Sequence, residues 1–113
     1  MPTPIQFLTN HSADYTLVAG VALAIDLPVE GSRDWLFVLK NTGTTNAVTA
    51  MTIARYPLGT AEIGEDPVTV STGIPLAAGA ALPIEATREP VAALRVTLTS
   101  TSGTTVRIAG GGW

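Results

Sequence analysis

The feature that most constrains this chain is a run of five consecutive apolar residues within the stretch DWLFVLKNTG, residues 34 to 43. The run is short, rich in aromatic and branched side chains, and closed by turn-forming residues. It therefore predicts a central β-strand that is buried on both faces. Alternation along the strand can place Leu36 and Val38 on the face that points into the core. The opposite face then carries Trp35, Phe37 and Leu39. We expect a loop, the N-terminal arm or another subunit to cover this second set.

The rest of the chain predicts further short strands and no long helix. Turn signals recur about every eight to twelve residues, which is typical of an antiparallel β-sandwich of about seven to nine strands. Immunoglobulin-like and jelly-roll-like arrangements both fit. Pro83 lies within a strand pattern and indicates an edge strand. The predicted core residues are Leu36, Val38, Met51, Ile53, Leu94, Val96, Leu98, Val106 and Ile108.

The two ends of the chain have a different character from its middle. Residues 1 to 14 begin Pro2-Thr3-Pro4 and predict an extended N-terminal arm or an edge strand. Residues 15 to 109 form the predicted sandwich. Residues 110 to 113 read as a glycine tail that carries Trp113 on a flexible tether. The alternation around Leu98 and Val106 predicts a terminal hairpin that closes the sandwich.

Composition argues for a surface that another protein covers. Hydrophobic residues make up 46% of the chain and charged residues only 13%, against roughly 25% charged in a typical soluble domain. Net charge is −3, and the six basic residues are scattered. No basic stripe offers neutralisation of phosphates, so nucleic-acid binding is not expected. The longest uncharged stretch, residues 15 to 25, is far short of the roughly 20 residues that a membrane span needs.

No catalytic or metal-binding constellation emerges from the residues. His11 is the single histidine and there is no cysteine, whereas zinc sites need three or four protein ligands. We read His11 as a solvated turn residue. No serine lies in a nucleophile elbow. Glu62, Glu65 and Asp66 form an acidic loop that could offer oxygen ligands to calcium, although its spacing does not match a calcium loop and a solvated loop is the preferred interpretation. We therefore expect no enzyme activity, no metal and no cofactor.

Two arginines on the predicted terminal hairpin are candidates for an interface. Arg95 and Arg107 should project from the same face of that hairpin. They fit either a solvated face or an acidic patch on a partner, and the solvated reading is preferred because surface ion pairs contribute little. The complete set of predicted interface residues is Pro2, Pro4, Ile5, Phe7, Leu8, Arg95, Arg107 and Trp113.

Three segments carry a resemblance to a known class of proteins. These are LFVLKNTGTTNAVTAMTIARYP, IPLAAGAALPIEA and ALRVTLTSTSGTTVRI. Together they resemble the small immunoglobulin-like and jelly-roll-like sandwiches of tailed-bacteriophage virions. The shared features are an apolar strand that ends in Lys-Asn-Thr-Gly and a later Leu-Ala-Ala-Gly turn before a strand.

The resemblance implies a head decoration, or cement, protein on the outer capsid surface. Its implied partners are the major capsid protein and further copies of itself, with a homotrimer as one option. A chain without an export signal would be made in the host cytoplasm and would leave in the virion. The alternative is a tail or fibre module that binds a host-surface glycan or another virion protein.

Overall fold

The computed structural model describes residues 9 to 27, 29, 34 to 56, 68 to 86 and 93 to 112. These ranges contain eight β-strands and no helix. The strands are β1 Thr9–Leu17, β2 Leu23–Leu27, β3 Trp35–Asn41, β4 Ala50–Tyr56, β5 Val68–Thr69, β6 Ala81–Ala86, β7 Ala93–Thr99 and β8 Thr104–Gly112.

The strands form two antiparallel sheets that pack face to face. Sheet I has the order β1-β8-β3-β6, and sheet II has the order β2-β7-β4-β5. Among the connections between these eight strands, only that from β4 to β5 stays within one sheet. This interleaving is the double Greek key of a jelly roll. The predicted antiparallel sandwich is confirmed, and of its two variants the strand order selects the jelly roll over the immunoglobulin-like arrangement.

The central strand is β3, but its two faces are the reverse of our expectation. The set Trp35, Phe37 and Leu39 is buried, with at most 1% of each residue exposed. Leu36 is half-buried and Val38 is 40% exposed, so both lie on the outer face. The prediction that Leu36 and Val38 form the core was wrong. Sheet II covers the aromatic set, which therefore needs no arm and no second subunit.

The remaining predicted core residues lie between the sheets. Burial of each large side chain contributes about 1.5 to 3 kcal/mol. The predicted core residues of β7 and β8 alternate strictly with exposed or half-exposed neighbours. This alternation gives each sheet one apolar inner face. The buried residues of this set are Met51, Ile53, Leu94, Val96, Leu98, Val106 and Ile108.

The predicted terminal hairpin does not form. β7 pairs with β2 and β4, whereas β8 pairs with β1 and β3. The turn at residues 100 to 103 carries the chain from one sheet to the other, and Ser100 is buried in it, where its hydroxyl donates to the Ala47 carbonyl at 2.7 Å. A short turn between alternating segments fits both outcomes, because alternation does not show which strand each segment pairs with.

Both ends of the described chain belong to the sandwich, which corrects the predicted boundaries. β1 is an edge strand, which is one of the two predictions for residues 1 to 14, but it continues past residue 14. β8 continues through Gly112. The glycine run is therefore a strand and not a tail. Gly110 lies opposite Phe37 and Gly112 lies opposite Trp35. A Cβ atom at Gly110 would collide with the backbone of β3, so this glycine allows β8 to approach the central strand closely. The remainder of the predicted arm, residues 1 to 8, and Trp113 lie outside the described residues.

Candidate interaction surface

The outer face of sheet I presents an uncharged row across all four strands. The pairing places Ser12, Ala109, Val38 and Pro83 side by side. Ser12, Val38 and Pro83 are exposed and Ala109 is half-exposed. β6, which carries Pro83, is an edge strand as predicted. The result is a flat strip of small or apolar side chains, which we call the uncharged row.

A charged row lies one pleat further along the same face. It consists of Asp14, Arg107 and Lys40, and it ends at Ala81. Arg107 lies between the other two, with a guanidinium nitrogen 3.7 Å from the Asp14 carboxylate and another donating to the Ser12 hydroxyl at 2.9 Å. Lys40 is exposed and has no ion-pair partner in the part of the chain that the structure describes. The row therefore contains two positive charges and one negative charge, and the positive charge of Lys40 is not neutralised within it.

The outer face of sheet II is different. A row of Ala24, Thr97, Thr52 and Thr69 crosses its four strands. Beside it, Arg95 donates to both oxygens of the Asp26 carboxylate at 2.7 and 3.3 Å. This hydrogen bond and the charge of Arg95 hold the pKa of Asp26 below its usual value, although partial desolvation opposes them. Among the described residues of these rows, the two charged side chains are Asp26 and Arg95, and they pair with each other.

Arg95 and Arg107 therefore lie on opposite faces of the molecule, and the prediction that they share a face was wrong. The error follows from the hairpin, because β7 and β8 belong to different sheets. Each arginine pairs with an aspartate on the neighbouring strand of its own sheet. Of the predicted interface residues, only these two fall within the described ranges.

A buried asparagine organises one end of the sandwich. The Asn41 side chain donates to the carbonyls of Asn46 and Leu76 at 2.9 and 3.0 Å. Its oxygen accepts from the Gly43 amide at 3.1 Å and from the Thr104 hydroxyl at 2.8 Å. All the hydrogen-bonding capacity of the amide is used, which is what a fully buried polar side chain requires. Two loops and the first residue of β8 are thereby fixed to the end of β3.

The loops at this end enclose a shallow cleft of about 340 Å³. Its lining is neutral and rich in hydroxyl groups, and it contains no aromatic ring. The lining residues are Thr16, Leu17, Gly43, Thr44, Thr45, Asn46, Gly103, Thr104 and Thr105. Such a cleft offers hydrogen bonds to a polar ligand but no stacking platform.

His11 does not lie in a solvated turn, which corrects our reading. It is half-buried within β1, and its Nε2 is 2.7 Å from the Tyr15 hydroxyl. The two rings lie nearly parallel, with centroids 6.1 Å apart. Burial raises the pKa of the Tyr15 hydroxyl above its usual value. Tyr15 also packs against the hydrophobic core.

Within the described ranges, no group of three or more histidine, cysteine or acidic residues could hold a metal ion. The acidic loop, with Glu62, Glu65 and Asp66, lies outside those ranges, so its prediction stays untested. The described part of the chain also has no helix long and apolar enough to cross a membrane.

The sequence reasoning missed the outer face of sheet I, although one signal for it was present. Lys40 follows the apolar run and has the same strand parity as Leu36 and Val38. A lysine almost always points to water. Its parity therefore marked those two residues as outward-facing and Trp35, Phe37 and Leu39 as core.

No protein-family model and no curated protein matches the sequence. Among solved structures, the chain is similar to a chain in the structure of infectious bursal disease virus, Gx strain. The TM-score is 0.50 and the sequence identity is 11%, over 89% of this chain. The match spans 28% of the length of the viral chain. At this identity the likeness shows a shared fold and nothing further.

Proposed function

We propose that this protein is a non-enzymatic structural component of a virion, and that it decorates the outer surface of an assembled head. In this role it binds the major capsid protein and stabilises contacts between capsid subunits. The observation that carries the proposal is the outer face of sheet I, where the uncharged row lies beside the excess positive charge of Lys40 and Arg107.

The chemistry of that face suits a protein partner. Flat, small and uncharged side chains can approach another surface closely, and little charge must be desolvated when they do. Val38 supplies an exposed apolar side chain at the centre of the row. The charged row at its border favours an acidic patch on the partner, since complementary charge sets register and speeds association. The low charge content of the whole chain, 13%, agrees with a surface that is covered in use.

The fold supports a virion role more generally. The jelly roll is a common architecture of viral capsid domains, although it also occurs in lectins and cupins. The likeness to a chain of a virus structure agrees with this assignment. The finer placement on a tailed-phage head rests on the sequence resemblance.

Co-sedimentation with empty capsids of the encoding virus tests the proposal. Purified protein should pellet with capsids, saturate at a fixed ratio to the major capsid protein, and raise the temperature at which the shell opens. Failure to pellet with capsids at any concentration would remove the decoration role.

The N-terminal arm is a second proposed contact. Residues 1 to 8 carry Ile5, Phe7 and Leu8, and an extended apolar segment can add a strand to a neighbouring sheet. Deletion of residues 1 to 8 should then weaken capsid binding and reduce the heat resistance of decorated shells. Unchanged binding and heat resistance would show that the arm is not the fastener.

The hydroxyl-lined cleft favours one alternative, a tail or fibre module that binds a host-surface glycan. Its threonines and Asn46 offer neutral hydrogen-bonding groups. Glycan sites usually add an aromatic platform, and Trp35 and Phe37 are buried in the core. A glycan array, read beside the capsid sedimentation, separates the two functions, and hits on the array alone would favour the tail module.

A further inference from the structure

The four outer strands of the sandwich differ in how well they are protected against pairing with another chain. β5 has two residues and β2 has five, and both end sheet II. β6 carries Pro83, which has no N–H to donate. β1 is nine residues long and contains no proline. Short strands, prolines, charges and bulges are the usual means by which edges are blunted.

β1 lacks all but one of these protections. Its nine residues pair with β8 in unbroken register, so no bulge twists the edge away. The one protection that remains is a single charged residue, Asp14, whose carboxylate lies beside Arg107. Among the described residues, no backbone hydrogen bond reaches the outward edge of β1. The strand therefore presents a long row of donors and acceptors to an incoming strand.

We propose that β1 pairs with β1 of a second copy of this chain, in antiparallel orientation about a two-fold axis at Ala13. This pairing would join two copies of sheet I into one continuous sheet. It is independent of the virion role, since it needs no capsid.

The sequence of β1 is complementary to itself in this register. Pairing centred on Ala13 uses the whole of Thr9–Leu17, because Ala13 is its middle residue. On the outer face it places the Ser12 hydroxyl opposite the Asp14 carboxylate of the second copy. On the inner face it places His11 opposite Tyr15, two side chains that already hydrogen-bond within one chain.

The neighbouring registers are less favourable. Cross-strand partners must share a face, so the two-fold axis must lie at a residue, and the nearest alternative centres are Ser12 and Asp14. Either shift shortens the paired segment at both ends. The centre at Asp14 also brings two carboxylates directly opposite each other, which destabilises a sheet. Ala13 is therefore the favoured centre.

One strand pair buries less area than a standard stable interface of about 1,600 Å². We therefore expect a concentration-dependent dimer that sedimentation velocity detects between about 1 µM and about 1 mM. The expected result is a mass that rises from one chain to two. A single-chain mass throughout, or a three-chain mass, would overturn the two-fold pairing.

Cysteine cross-linking tests the contact itself, and the chain has no native cysteine to interfere. Residues directly opposite in an antiparallel pair have Cα atoms about 4.5 to 5.5 Å apart, which a disulfide can span. Ala13→Cys should therefore oxidise to a covalent dimer. The matched control is Ala24→Cys, which lies on β2, the edge strand of sheet II.

Pairing raises the local thiol concentration, so at about 10 µM protein the Ala13 variant should cross-link at least about tenfold faster than the Ala24 variant. Ser12→Cys tests the register. In a pairing centred on Ala13, the two copies of residue 12 lie diagonally, with Cα atoms about 7 to 8 Å apart, so this variant should cross-link more slowly than Ala13→Cys. Equal rates for the Ala13 and Ala24 variants would overturn the proposal. Faster cross-linking in a mixture of these two variants than in the Ala13 variant alone would also overturn it.

Discussion

Gly110 lies opposite Phe37 in the ladder between β8 and β3, and a Cβ atom at Gly110 would come within 2.7 Å of the Phe37 Cα atom. The closest approach would be to the backbone carbonyl oxygen of Leu36, which cannot rotate away as a side chain can. Gly110 also has a positive φ of 153°. The close packing of the central strand against β8 therefore depends on the missing side chain.

Gly110→Ala should reduce the free energy of unfolding by about 3 kcal/mol or more, since both a backbone collision and φ strain are introduced. Gly79→Ala is the matched control, because Gly79 has a φ of 81° but nothing within 4 Å of an added Cβ. Gly79→Ala should reduce the free energy of unfolding only through the strain of a positive φ, by about 1 to 2 kcal/mol. Urea unfolding followed by tryptophan fluorescence measures both, and equal losses would show that the collision is relieved.

Asn41→Ala should destabilise the protein by at least about 2 kcal/mol. The change removes four hydrogen bonds that connect two loops and the start of β8 to Asn41, and the buried Leu76 carbonyl loses one of its donors. Each buried group that loses its partner costs about 1 to 3 kcal/mol. The control is Thr42→Ala, because the Thr42 hydroxyl is exposed and its side-chain contact is one hydroxyl, that of Thr105. That control should lose less than about 1 kcal/mol. A small loss at Asn41 would mean that water replaces the amide.

The ion pair between Asp26 and Arg95 should make a small contribution that depends on pH. The folded-state pKa of Asp26 lies below its unfolded value. Stability from this pair is therefore fully present above the unfolded pKa, about 3.9, and is lost as pH falls through the folded value. Because the two side chains are 45% and 63% exposed, screening limits the contribution to under about 1 kcal/mol.

A double-mutant cycle with Asp26→Asn and Arg95→Met isolates this coupling. The interaction energy from urea unfolding should be favourable at pH 7 and should weaken as the pH is lowered below the ordinary pKa of an aspartate, because protonation of the carboxyl removes its charge. An interaction that persists unchanged at acidic pH would show that packing of the arginine stem is responsible.

Val38→Glu should abolish or strongly weaken capsid binding without unfolding the protein. Val38 is 40% exposed at the centre of the uncharged row, so a carboxylate there stays solvated in the free protein but is desolvated in a complex. Val18→Glu is the control, because Val18 is 62% exposed and lies outside the strands of that face. Capsid co-sedimentation should distinguish the two variants, and equal binding by both would exclude this face as the contact.

The sequence predicts much of the architecture but not how the segments are arranged. Alternation and turn residues define short antiparallel strands, and Pro83 marks an edge. Local alternation cannot tell whether β7 and β8 pair with each other or cross between sheets, so it placed Arg95 and Arg107 on one face. In β3 every residue from Trp35 to Leu39 is apolar, so the run itself contains no polar residue to mark its outer side.

Long-range contacts explain what the sequence could not predict about the candidate surface. Asn41 looks like an ordinary turn residue, yet two of its partners lie 35 and 63 positions away. The uncharged row likewise combines residues from β1, β8, β3 and β6, which become neighbours only through the jelly-roll order. His11 reads as a turn residue because its strand partners are nearly 100 residues away in the chain, at the end of β8.

Quantitative mass spectrometry of purified virions is the decisive experiment for the capsid-decoration role, because it measures how many copies of this chain each particle carries. A head decoration protein should be present in a fixed proportion to the major capsid protein, with copies numbering in the hundreds. Absence from purified particles, or a small number of copies fixed at a tail or vertex, would exclude the head-decoration role.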